Sequence, residues 1–316
     1  MAAKKIIAVV GATGAQGGGL VKAITKDPKK EFSVRAITRN KNSEKAQFLA
    51  NKGVEIAEAD VADKASLIRA FSGAYGAYCV TFFWDHFSVD KEMAHARNMA
   101  VAAKEAGLRH VIWSTLEDTR VWIPPEDNRM PTLQGKYKVP HFDGKGASDA
   151  YFIESGVPYT LLLTSFFWEN FIYFGMAPQK GHDGELAITL PMGSKKLPGI
   201  AVDDIGRCAL GIFKAGKRYQ KKKIGIAGEH LGGQDMADVF AKVYGKPVKY
   251  NQVSPEVYRS FDFPGADDLG NMFQFKSEFE EVYCGARDPA IARKLNPELM
   301  DFETWVRTYK DKIPVE

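Results

Sequence analysis

Residues 4–18 constrain the fold more than any other stretch: an apolar run, Ile6-Ile7-Ala8-Val9-Val10, enters a glycine-rich turn and leaves as a helical pattern. Gly11 suits a tight turn straight after a strand, Gly14 has no side chain to hold an approaching group off the main chain, and Gly17 lets the next helix lie close to the sheet. Unpaired N–H groups at the start of that helix, with the positive end of its dipole, would face an anion. Gly11, Thr13, Gly14, Ala15, Gln16 and Gly17 are thus the expected cradle for a dinucleotide's phosphates. The same letters also fit an ordinary strand-to-helix loop. Context separates the two, because Leu20, Val21 and Ile24 follow at helical spacing and a second strand-like run comes at the distance a βαβ unit needs.

Strand-like runs at residues 6–10, 33–38, 54–58, 77–80 and 110–114 alternate with helical stretches near 18–26, 44–51, 64–71 and 90–106. Asp63 and Ser88 precede the last two as side-chain caps. This rhythm predicts an α/β fold with a doubly wound parallel sheet of Rossmann type. The second half is less regular. It offers a helix over 144–154, a sixth strand over 159–163, turn-rich stretches at 178–184 and 191–198, strands at 223–227 and 248–251, and helices at 203–215, 234–243 and 301–310.

With 45% hydrophobic and 26% charged residues among 316, the chain has the make-up of an ordinary globule with material for one large or two modest domains. Cys79, Cys208 and Cys284 are an odd, widely spaced set, which argues for reduced thiols and against a disulfide or metal role. No apolar run nears bilayer-spanning length, and the run after Lys4-Lys5 is too short for a signal-peptide core. A cytoplasmic protein with access to the nucleus and no membrane role is expected. The net charge is +4, and the basic clusters at Lys29-Lys30, Lys195-Lys196 and 217–223 read as solvated loops. Without a helix-turn-helix, zinc module or aromatic–basic platform, direct nucleic-acid binding is not expected.

The end of the second strand carries the choice of dinucleotide. An acidic residue there would accept hydrogen bonds from a ribose 2′-hydroxyl and repel a 2′-phosphate. Here the strand runs into Arg39-Asn40-Lys41, with Lys45 further on, and Arg39 offers a planar fork suited to phosphate. NADP(H) is therefore expected ahead of NAD(H). Asp60 and Val61, after the third strand, fall where such folds meet the adenine; a plain capping aspartate is the other reading of Asp60.

Further motifs are Thr81-Phe82-Phe83-Trp84, His141-Phe142-Asp143-Gly144-Lys145-Gly146, Phe167-Trp168-Glu169-Asn170 and Phe263-Pro264-Gly265-Ala266. With the glycine turn and Thr38-Arg39-Asn40, they resemble the short-chain dehydrogenase/reductase superfamily, and within it the NmrA-like atypical branch. The resemblance implies an NAD(P)-binding Rossmann domain over 1–157 and a smaller α/β lobe over 158–316 that closes a cleft, with some of its segments returning to the first sheet. Thr81, Phe82 and Phe83 would line the nicotinamide side, with Phe166, Phe167 and Asn170 on the opposite wall. Core packing is the other reading of these aromatics.

Typical superfamily enzymes carry Tyr-x-x-x-Lys on the helix after the fifth strand, the tyrosine moving the proton and the lysine holding the nicotinamide ribose. This chain reads His141-x-x-x-Lys145. Tyr137 lies eight residues before Lys145, about 12 Å along a helix, and cannot stand in without a bend. Tyr219-x-x-x-Lys223 matches the letters but sits in a basic connection before a late strand. Lys145 is expected as a ribose contact, its alternative being a solvent-facing lysine. His141 would be a proton donor near neutral pH, or a cap or surface residue, and Ser114 a substrate-polarising hydroxyl, or a strand-end partner for backbone groups.

No residue is singled out as catalytic beyond these three candidates, Lys145, His141 and Ser114, and no metal is expected. The resemblance implies an NADP(H)-binding regulatory protein or redox sensor, with a regulatory protein and a second copy of the chain as expected partners. The alternative is an NADPH-dependent reductase of a quinone, enone or similar small carbonyl compound.

Overall fold

Each apolar run in the first half forms a strand, and each amphipathic stretch between them a helix. The computed structural model, which describes residues 4–181 and 183–315, begins with β1 (Lys5–Val9), α1 (Ala15–Lys26), β2 (Phe32–Thr38), α2 (Glu44–Ala50), β3 (Glu55–Glu58), α3 (Lys64–Phe71), β4 (Gly76–Cys79), α4 (Val89–Glu105) and β5 (His110–Thr115). Next come α5 (Pro140–Ala147), α6 (Asp149–Glu154), β6 (Tyr159–Leu163), β7 (Phe166–Phe167), α7 (Asn170–Tyr173), β8 (Gln179–Lys180), β9 (Leu186–Leu190), β10 (Leu197–Ile200), α8 (Val202–Ala215) and β11 (Lys222–Gly225). The chain ends with β12 (Glu229–Leu231), α9 (Gly233–Tyr244), β13 (Val248–Gln252), α10 (Pro255–Arg259), α11 (Ala266–Glu278), α12 (Glu280–Gly285), α13 (Pro289–Leu295) and α14 (Phe302–Tyr309).

Among the described residues the strands form one seven-stranded sheet, ordered β11-β6-β5-β4-β1-β2-β3, and two three-stranded sheets, β12-β10-β7 and β13-β9-β8. β1 through β6 pair in parallel, with Ile7 opposite Val34 on one side and Gly76 on the other. Ile7, Ala8 and Val9 are fully buried, which is why the strand reads as a continuous apolar run without alternation. The caps form as expected: Asp63 accepts from the Ala65 N–H at 2.9 Å and Ser88 from the Lys91 N–H at 3.3 Å. Trp113 of β5 stacks on Phe152 of α6, ring centroids 4.9 Å apart.

The chain divides into two compact units. Unit 1 takes residues up to 118, 143–163 and 203–224; unit 2 takes 119–142, 164–202 and 225 onward. Unit 1 holds the seven-stranded sheet, and its returning segment brings α8 against α1: a methyl at Gly206 would collide with the main chain at Gly19 and Leu20. Unit 2 packs an aromatic cluster in which Phe171 meets Phe240 and Phe302, and Phe302 stacks on Trp305. A buried lysine, Lys138, donates to the Asp127 and Met130 carbonyls at 2.6 and 2.7 Å and to Thr132 Oγ1 at 2.9 Å, tying down the preceding loop.

One expected element is divided. The single helix over 144–154 is two, and the first begins four residues earlier, because Pro140 supplies a first helical position that needs no N–H. The break falls at Ser148, whose hydroxyl donates to the Gly144 carbonyl at 2.7 Å, a back-bond that bends a helix. The turn-rich stretches also carry ladder bonds, β8 in the first and the start of β10 in the second. No helix among the described residues is long and apolar enough to cross a membrane.

Candidate functional site

The glycine turn joins β1 to α1. Gly11 takes a left-handed φ of 64°, and the Gly14 N–H closes the turn on the Gly11 carbonyl at 2.9 Å. Gly17 is required by proximity, since a methyl there would overlap the Gly11 main chain. α1 starts at an N-cap, Gly14, that has no side chain to accept its first-turn N–H groups, and that turn holds no acid. Thr13 and Lys45 face an open groove of about 420 Å³ completed by Ala12, Glu44, Phe48 and Leu49. Gln16 points elsewhere: its Oε1 accepts from the Tyr78 hydroxyl at 2.6 Å and the Ser114 hydroxyl at 2.7 Å. Ser114 is thus held by a side chain rather than by strand-end backbone groups. Burial pushes the Tyr78 phenol well above its ordinary range, so it stays a donor.

Arg39 follows β2 on the surface, and its Nη1 lies 3.1 Å from Asp85 Oδ2. Asn40 forms a local turn, donating from its N–H to Thr38 Oγ1 and accepting from the Asn42 N–H at 2.9 Å. Asp60 accepts from the Ala62 N–H at 2.8 Å and leads into α3, while the Val61 carbonyl accepts from Asn98 at 3.0 Å.

At the end of β4 the arrangement is buried and charged. Lys145 Nζ, on α5, lies 2.6 Å from Thr81 Oγ1, 3.2 Å from the Thr81 carbonyl and 2.9 Å from Glu92 Oε1. Thr81 in turn donates its hydroxyl to Glu92 at 2.5 Å. Glu92 is fully buried on α4, and its second oxygen faces His86 Nε2 at 3.7 Å. His86 Nδ1 accepts the Ser88 N–H, which places the proton of a neutral ring on Nε2, toward that carboxylate. The half-buried His95 ring sits beside His86, and burial lowers its proton affinity, with the neighbouring imidazole adding to the effect.

The alternative reading of Lys145 as a solvent-facing lysine falls away, since it is 8% exposed. Phe83 is buried in the turn after β4, edge-on to Trp84, and Phe82, 61% exposed, is the aromatic presented at that strand end.

His141, Phe166, Phe167 and Asn170 belong to unit 2. His141 is neither a cap nor a surface residue. It is buried in the first turn of α5, with Nδ1 2.6 Å from Asp268 Oδ1 and its N–H donating to Asp268 Oδ2 at 3.1 Å. Phe166 is buried against Phe171 and Phe273, Phe167 is half-buried on β7, and Asn170 opens α7, its carbonyl accepting from the Phe174 N–H. Tyr137, outside α5, is buried beneath the Arg120 guanidinium, and Tyr219 lies in a short turn before β11.

Glu92 and Asp268 were not singled out by sequence reasoning. A signal for Glu92 exists: Val89, Ala96, Met99, Ala100 and Ala103 form the buried stripe of α4, and an acid at position 92 falls on it.

A glycine turn at the end of the first strand of a parallel, doubly wound sheet defines a Rossmann-type α/β protein. The chain belongs to the NmrA-like family, whose profile matches residues 3–306. An NmrA-like family domain-containing oxidoreductase, FrzB, of a Cladobotryum species is 29% identical over 290 residues, 85% of this chain and 83% of the relative. Among solved structures, NmrA, a negative transcriptional regulator, superposes with a TM-score of 0.79 at 24% identity over 96% of this chain and 95% of that one. A Citrobacter triphenylmethane reductase complexed with NADP(H) gives 0.74 at 22%, over 97% and 99% of the two chains.

Proposed function

We propose that the protein binds NADP(H) through unit 1 and works as a regulatory or redox-sensing member of its family. The chain's residues suit the cofactor: a helix N-terminus without a side-chain cap for the pyrophosphate, Arg39 for a 2′-phosphate, and Lys145 for the nicotinamide ribose. NmrA has been solved with NADP and with NAD, which supports a nicotinamide dinucleotide here. The carrying observation is the Lys145 cluster. The ammonium is engaged by Thr81 and the buried Glu92 carboxylate, and one turn earlier on its helix stands His141, bonded to Asp268, instead of a tyrosine acid.

A second reading, an NADPH-dependent reductase of a quinone, enone or similar carbonyl compound, is favoured by the name oxidoreductase on the relatives. When bound, NADPH supplies a hydride; Lys145 is the protein's own N–H donor at that end of unit 1, and Glu92 keeps it oriented. Titration with NADPH is expected to shift cofactor fluorescence under both readings. Purified protein is expected to leave NADPH unconsumed with a panel of quinones, enones and triphenylmethane dyes; steady oxidation with any of them would overturn the sensor role in favour of the reductase.

A further inference from the structure

We propose, on the reading of unit 1 as a dinucleotide site, that Asp85 is an internal competitor for Arg39 and thereby sets how far the protein prefers NADP(H) to NAD(H). Arg39 leaves the sheet just after β2, and Asp85 ends the short turn Phe83–Asp85 that follows β4. In the strand order β4-β1-β2 these exits lie on either side of β1. Two strand spacings, about 10 Å, separate them at the main chain, yet Nη1 and Oδ2 meet at 3.1 Å. The pair therefore joins the segments that leave the two strands flanking β1, the strand whose end leads into Gly11 and the phosphate turn.

The chemistry of the competition is direct. A carboxylate and a phosphate monoester both match the planar guanidinium fork. The Arg39 and Asp85 side chains are 68% and 50% exposed, so the pair is weak and exchangeable rather than a fixture of the fold. Glu58, the acid that ends the adjoining strand β3, accepts instead from the Lys41 N–H at 3.3 Å. A ribose 2′-phosphate must take the fork from Asp85 and then lies near its negative charge. A 2′-hydroxyl carries no charge and leaves the pair in place.

The test is a fluorescence titration of NADPH and NADH with wild type, Asp85→Asn, Asp85→Glu, Arg39→Ala and the Arg39→Ala/Asp85→Asn double variant, at low and high salt. Asp85→Asn is expected to tighten NADPH about two- to five-fold, the range for an exposed ion pair, with NADH unchanged. Asp85→Glu should keep the wild-type ratio, the gain should shrink with added salt, and the double variant should match Arg39→Ala alone. An equal change for both cofactors, or a gain that persists without Arg39, overturns the competition while leaving the dinucleotide site standing. Failure of the wild type to bind either nucleotide overturns both.

Discussion

Lys145 and Glu92 show how one buried side chain makes another necessary. Removing Glu92 alone leaves an ammonium with no counter-charge, so Glu92→Leu is expected to lower stability by about 3–5 kcal/mol, while Lys145→Met/Glu92→Leu recovers most of it. Urea midpoints of the two variants check this, and equal losses would show that the charges are not coupled. His110 gives a pH test. Its Nε2 meets Thr160 Oγ1, whose own proton goes to the Tyr219 carbonyl, so the ring is the donor and is neutral with Nδ1 bare and buried. Burial lowers its pKa from 6.5 to about 4. Because the folded state binds the proton less tightly than the unfolded one, its contribution is complete above pH 6.5 and is lost as pH falls toward 4, about 3 kcal/mol in all. Against pH, the difference in urea midpoint between wild type and His110→Gln should change across that window and be flat above it. At this scale Lys145, Arg39 and His141 were legible in their motifs and their acidic partners were not, because Glu92, Asp85 and Asp268 are brought in from 46 or more positions away by the fold.

Elements obeyed local rules wherever the local rules were complete. Asp63, Ser88 and the residues at 159–163 announced caps and a strand, since a short polar side chain before a periodic run and a stretch of β-branched and apolar residues each have one low-energy use. The start of α5 was readable too, had Pro140 been weighed as a first helical residue. α10 to α13 were not, because their buried faces answer to neighbours distant in sequence. The junction of β1 and α1 yields the prediction at this scale. Gly17→Ala is expected to push α1 off the Gly11 carbonyl, costing about 1–3 kcal/mol, the range for overpacking, and weakening NADPH far more than a surface Gly→Ala change such as Gly285→Ala, which opens onto space. Unaltered NADPH affinity in Gly17→Ala would remove the turn from the site.

Unit 1 is assembled from three stretches of chain, the last arriving at residues 203–224. A fragment of residues 1–157 lacks β6, β11 and α8, leaving β5 as an edge and the Gly19 face of α1 uncovered. It is expected to be insoluble or to lack a cooperative unfolding transition, and a soluble fragment that melts sharply by circular dichroism would show that the first five strands are self-sufficient. The sequence made the alternation of strands and helices plain. The family resemblance implied that some later segments return to the first sheet, but nothing local marked 203–224 as the segment that comes back or 119–142 as one that leaves unit 1, because an apolar helix that returns reads like one that stays. The close packing of Gly206 on α1 has a consequence in time. During synthesis at ~5–20 residues per second, the strands up to β5 must wait on the order of ten seconds for α8 and β11 to emerge, so the nascent sheet stands with an open edge on the ribosome, dependent on whatever shields it there.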